Sequence, residues 1–154
     1  AKYDLAGNLI WGKQFGGTDS DLLNKVYADE SGLYLTGSFK GTVNFYNSES
    51  KHDNIAAKGG MDIVLFKLDF DGNTQFVKTF GSTGNDVAYD IVLDNSNNIF
   101  LTGGFSGTID FDPVNNLGTY TSAGQDDMYI ASFNKEGKYI SAITGTGSGS
   151  NFGR

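Results

Sequence analysis

The chain has 154 residues, enough for one ordinary domain with a sizeable core, and carries a formal net charge of -7 at pH 7. That acidic balance argues against nucleic-acid or anionic-membrane partners, which need Lys/Arg-rich faces, and no apolar run approaches the length that spans a bilayer. Cysteine is absent, which excludes a disulfide framework, a thiolate nucleophile and Cys-ligated zinc; 22 Gly, 12 Phe and 8 Tyr against 1 Pro read as an all-β chain rich in tight turns.

From the start of the chain, Lys2–Phe15 reads as a hairpin turning at Ala6-Gly7-Asn8. Strands are then expected at Leu22–Ala28, at Leu33–Phe39 with a continuation to Phe45, at Asp62–Leu68 and at Thr74–Phe80, the last two joined by the turn Asp71-Gly72-Asn73. Val87, Tyr89, Ile91 and Leu93 alternate with Ala88, Asp90, Val92 and Asp94, a period-two strand. The turn Asn95-Ser96-Asn97-Asn98 leads to a strand at Ile99–Phe105, and Thr108–Phe111 extends that strand past a kink at Gly103-Gly104 and Gly107. A polar loop from Asp112 to Asp126 is followed by strands at Met128–Phe133 and Lys138–Ile143, with a hairpin turn at Asn134–Gly137.

These elements repeat. The offset that carries Lys2 to Lys67 also carries Asp4, Gly7, Asn8, Lys13, Phe15, Gly16, Thr18, Asp21, Asp29 and Ser31 onto identical residues, ending at Ser96. After a one-residue slip, Leu35-Thr36-Gly37, Phe39, Gly41-Thr42 and Phe45 match Leu101-Thr102-Gly103, Phe105, Gly107-Thr108 and Phe111, and a third copy opens at Asp127. Four antiparallel strands per unit is the pattern of a β-propeller blade. The phase places the outer hairpin of a preceding blade in residues 1–20, full blades in 21–80 and 86–143, and the start of another in 144–154. Propellers close with roughly four to eight blades, so the chain reads as a fragment of a larger ring or a subunit that completes one with other chains.

The stretch Asp62-Ile63-Val64-Leu65-Phe66-Lys67-Leu68-Asp69 through Gly72, Phe80-Gly81, Asp86, Ala88 and Asp94 resembles the SBBP-type β-propeller repeats of bacterial secreted and surface proteins. The likeness continues through Ile99-Phe100-Leu101-Thr102-Gly103, Phe105, Gly107-Thr108 and Ile109-Asp110-Phe111-Asp112-Pro113. The first copy shares the skeleton and departs at Asn44-Phe45-Tyr46. The resemblance implies a propeller from a large exported protein, extracellular, and carries over no catalytic residues.

Candidate chemistry is sparse. Asp69 and Asp71 ahead of Gly72, and Asp110 with Asp112, are the candidates for calcium, because clustered oxygens suit that ion. A hairpin is favoured over calcium at Asp69-Phe70-Asp71-Gly72-Asn73, since only the turn survives in the other copies. Asp21 and Asp86 precede inner strands and Asp29 and Asp94 follow them, repetition that points to backbone satisfaction and away from catalysis. His52, the single histidine, has no triad or zinc partners. The glycine clusters at 81–85 and 145–150 lack the following helix and lysine of a phosphate loop. Trp11, Phe76 and Tyr139 on successive outer strands could stack on sugar rings, against the alternative of packing within the blade.

The expectation is a non-enzymatic binding or scaffolding module of a secreted or surface-displayed bacterial protein, needing no cofactor. It would hold a protein or a cell-surface glycan on the loops Tyr46–Gly60 and Asp112–Gln125, which vary between copies. Two alternatives stay open: a propeller glycosidase or lyase with its two carboxylates in other blades, and a calcium-stabilised adhesin.

Overall fold

A computed structural model of the chain describes residues 1–46, 54–145, 147–151 and 153. A two-stranded antiparallel hairpin comes first, β1 (Lys2–Tyr3) with β2 (Leu9–Trp11). β3 (Asp21–Asp29), β4 (Gly32–Asn44), β5 (Asn54–Leu68) and β6 (Thr74–Phe80) form a four-stranded antiparallel meander in sequential order. β7 (Val87–Leu93), β8 (Ile99–Phe105), β11 (Asp127–Phe133) and β12 (Tyr139–Thr144) repeat it. Between β8 and β11 the chain makes a separate small hairpin from β9 (Thr108–Asp110) and β10 (Thr119–Thr121). No helix occurs among the described residues, so the fold is all-β with four-stranded, propeller-like blades.

Two loop expectations need correction. The region expected as a polar loop from Asp112 to Asp126 contains β10, which pairs Thr119 with Asp110 and Thr121 with Thr108. Gly118 makes this possible: its carbonyl accepts the Phe111 N–H, and an added Cβ would lie 3.0 Å from Asp112 N. In the first sheet the matching region is strand too, because β5 begins at Asn54 and pairs Thr42, Val43 and Asn44 with Ala56, Ile55 and Asn54 past an irregularity at Lys40/Thr42. Each sheet thus sends a hairpin arm beyond its second and third strands, continuous in the first and broken at Gly107 in the second. The opening hairpin is also shorter than Lys2–Phe15: its ladder is confined to β1 and β2, and among the described residues neither strand pairs with a second neighbour.

Four of the tight turns among the described residues share one construction. In the Asp4, Asp69 and Asp94 turns, a carboxylate Oδ1 accepts the N–H groups two and four residues on, and an Asn side chain donates to Oδ2. Asn134 does the same with its amide oxygen toward Glu136 and Lys138. The residue before the last takes a left-handed backbone, at φ 85° in Gly7, 83° in Gly72, 73° in Gly137 and 61° in Asn97.

Burial divides into two cores. Phe39, Val43, Phe45, Val64, Phe66 and Leu68 fill the space between the first blade and the opening hairpin, with Trp11 and Phe15 against them. The larger core joins the blades: Tyr34, Ile63 and Leu65 of the first meet Ala88, Ile91, Ile99, Leu101, Phe105, Tyr129, Ala131 and Phe133 of the second. β5 serves both cores, since its alternate residues point to opposite faces of the sheet. Across the inner strands Asn24 Nδ2 donates to the Ala88 carbonyl and Lys25 pairs with Asp90 at 3.0 Å.

Candidate interaction surface

The two arms stand at one rim and are anchored rather than loose. Val43 and Phe45 are buried at the root of the first, Ile109 and Phe111 at the root of the second. The Phe111 ring sits 5.5 Å from Phe80 and 5.0 Å from Tyr129, so the arm is fixed to both blades. Beyond these anchors the second arm exposes Val114 at 85% and Leu117 at 72%, while Asp112 is held by Asn115 Nδ2, which donates to both carboxylate oxygens. A tip that exposes two large apolar residues on a rigid stalk is an arrangement for contact with another molecule.

The arm overhangs a cleft of about 360 Å³ between the outer strands of the two blades. Val77, Lys78 and Thr79 of β6 form one wall, Lys138 and Tyr139 the other, and Asp112, Pro113 and Val114 the roof. The Tyr139 hydroxyl lies 3.2 Å from that of Tyr120, which donates to the Ala142 carbonyl. Burial and the Tyr120 contact push the Tyr139 phenol well above its ordinary value, so it stays protonated at neutral pH. The cleft therefore offers two ammonium groups, the Asp112 carboxylate and a neutral phenol beside Val77, Pro113 and Val114.

The candidates read from the sequence are dispersed. Asp112 and Tyr139 meet in the cleft, and Asp110 accepts the Asp112 N–H through Oδ1 nearby. Asp69 spends both oxygens on its own turn, with Gln75 Nε2 also donating to Oδ2, and Asp71 is exposed beside it. Among the described residues no group of three or more His, Cys, Asp or Glu side chains is placed to hold a metal ion. Trp11 donates through Nε1 to the Phe70 carbonyl and lies under Gly72; Phe76 lies under Gly137 in the same way. These two aromatics support the turn of the following blade, and the same offset relates both contacts. His52 and much of the Tyr46–Gly60 loop lie outside the described residues.

In the connectors at this rim Asp86 takes the backbone-satisfying role expected of it, and Asp62, which was not singled out, joins it. Asp86 accepts the N–H groups of Ser82 at 2.6 Å and Ser106 at 3.1 Å, and its own N–H donates to the Met61 carbonyl. Asp62 accepts the Lys58 N–H through Oδ2, while its buried Oδ1 has no hydrogen-bond partner among the described residues. Burial pushes both carboxyls upward, and the Asp86 charge adds to the effect at Asp62. The signal was the match of Asp62 with Asp127 and of Asp21 with Asp86, acids that recur at strand starts.

Sequential four-stranded meanders packed face to face, with anchored arms at one rim, define the chain as a pair of propeller-like blades built from one repeat. No family model matches the chain. It is similar to an uncharacterized WD repeat-containing protein of Acanthamoeba polyphaga mimivirus, at 27% identity over 145 residues, and the match takes in 86% of this chain. The chain spans 10% of that relative's length.

Proposed function

We propose that the chain is a non-enzymatic protein-interaction module of the propeller kind, of SBBP type, serving a secreted or surface-displayed bacterial protein in adhesion. The observation that carries this reading is the second arm: its root is locked into the core by Phe111 while Val114 and Leu117 are presented to solvent above the cleft of Lys78, Lys138 and Tyr139. Rigid presentation lowers the entropy lost on binding, and apolar tips rimmed by lysines suit a protein partner with an apolar contact and acidic flanks better than a glycan. The likeness to a WD repeat-containing protein supports a repeat-built interaction scaffold. The duplicated acids of the frame serve backbone groups, which supports the non-enzymatic reading.

The test is the double substitution Val114→Ser, Leu117→Ser in the intact parent protein. Attachment to the surface it recognises should weaken by about tenfold or more, as for removal of a small contact hot spot, with the thermal midpoint unchanged. Unaltered attachment would sink the assignment of this arm.

A further inference from the structure

The cleft beneath the second arm is a place where the copies of the repeat part company. In the first copy Thr74 Oγ1 donates to the Phe45 carbonyl at 2.8 Å, tying the outer strand directly to the arm. The repeat offset carries Thr74 to Tyr139 and Asn73 to Lys138 and, with the one-residue slip, Phe45 to Phe111. The Tyr139 hydroxyl lies instead 3.2 Å from that of Tyr120, so the tie passes to the second strand of the arm. Phe111 and Tyr139 then line a cleft of about 360 Å³ under Pro113 and Val114, within the size range of small-ligand sites. Both of its walls belong to the two packed blades.

Lys78 and Lys138 stand on facing walls, and among the described residues neither ammonium group has a hydrogen-bond, ion-pair or ring partner. Asp112, the one acid among the lining residues, accepts Asn115 Nδ2 through both oxygens and forms no ion pair with either lysine. In a chain of net charge -7, two unpaired cations beside Val77, Phe80 and Pro113 reverse the local sign next to apolar surface. The repeat does not require Lys138: its position is Asn73 one copy earlier and Asn8 before that.

From this charge reversal we infer that the cleft binds the C-terminal residue of a partner protein, its carboxylate between Lys78 and Lys138 and its apolar side chain against Val77 and Pro113. A chain end carries a carboxylate and a side chain on one carbon, so both reach ammonium groups and apolar wall within a small space. An internal Asp or Glu does not, because in an extended segment the adjacent apolar side chain points to the opposite side. The inference rests on the reading of the arm as a protein-contact element. Val114 and Leu117 touch the partner's body, and the cleft holds its end.

The test uses the intact protein and labelled pentapeptides ending in valine, leucine or phenylalanine, each with a free C-terminus and as the C-terminal amide. In fluorescence anisotropy the best free acid should bind at least about tenfold more tightly than its amide, as for a charge-assisted contact removed. Lys78→Gln and Lys138→Gln should each weaken the acid by about threefold or more and leave the amide unchanged, and salt should shrink the difference. Lys25→Gln, on the inner strand, should change neither. Equal affinities for acid and amide in all three pairs, or a difference that survives both lysine variants, would overturn the inference. So would free isocaproate binding as tightly as the leucine peptide, which would assign the cleft to small carboxylates. Attachment of the protein that falls with Val114→Ser, Leu117→Ser while acids and amides bind alike would keep the arm and sink the cleft.

Discussion

Asp62 shows how one atom can set a pH dependence. Its Oδ1 is buried without a hydrogen-bond partner among the described residues, next to a second buried carboxylate at Asp86, and both are shifted upward from the ordinary 3.8. A raised folded-state value means the folded chain binds the proton more tightly than the unfolded chain. The contribution of these groups is therefore most favourable at low pH and is lost as pH rises through the raised values. Asp62→Asn keeps an acceptor for the Lys58 N–H and removes the buried charge. It should stabilise the chain by about 1 kcal/mol at pH 7, with the advantage vanishing below pH 3.8, as read from urea unfolding at the two pH values. Asp4, Asp69 and Asp94 behave oppositely: their Asn partners hold them below 3.8, so what they add is present above that value and lost as acid protonates them. Asp69→Ala should lower the thermal midpoint and Asp69→Asn much less, since Asn134 already fills the equivalent role.

Among the elements, the small β9–β10 hairpin depends on one ring. Phe111 is buried and touches Phe80, Tyr120, Tyr129 and Phe133. Phe111→Ala should cost about 3–5 kcal/mol in chemical unfolding and loosen the arm, which hydrogen exchange at Tyr120 would report. The strands that build the sheets were readable because the repeat presents each pattern twice, and the Asp-to-Asn turn spacing marks their ends. The alternation read over Val87 to Leu93 is broken by a bulge between Ala88 and Asp90, which leaves Ala88 and Ile91 as the buried pair of the strand. β10 was not readable. Thr119-Tyr120-Thr121 is too brief to show a period, and its existence depends on Gly118 letting the chain close on Asp112. The start of β5 was hidden for a related reason: Asn54 to Gly60 holds one β-branched residue and ends in two glycines, and its pairing with Thr42–Asn44 makes it strand. The cleft was half legible, because Asp112 and Tyr139 stood out as residue types but their meeting depends on blade packing, which no local pattern encodes.

At the scale of the whole molecule, cooperativity follows from β5. Val64, Phe66 and Leu68 point into the core shared with the opening hairpin, while Ile63 and Leu65 point into the core between the blades. Neither core can dissolve without exposing the other face of the same strand. Trp11, the one tryptophan, reports the first core, and far-UV circular dichroism reports the sheets. The two probes should give coincident unfolding curves, and separated midpoints would show that the cores are independent. The inner-strand pair Lys25–Asp90 adds little to this coupling: both side chains are more than a third exposed, so Lys25→Ala should cost less than about 1 kcal/mol and less still in high salt.

Among the described residues the opening hairpin shares no backbone ladder with another sheet; Trp11 and Phe15 packing and single bonds such as Trp11 to the Phe70 carbonyl hold it. Under a pull along the chain, the sheets resist through rows of hydrogen bonds loaded together, but this hairpin resists only through side-chain contacts. Stretched by itself, the 154-residue chain should therefore release β1 and β2 before either sheet, leaving both blades and the arm between them intact.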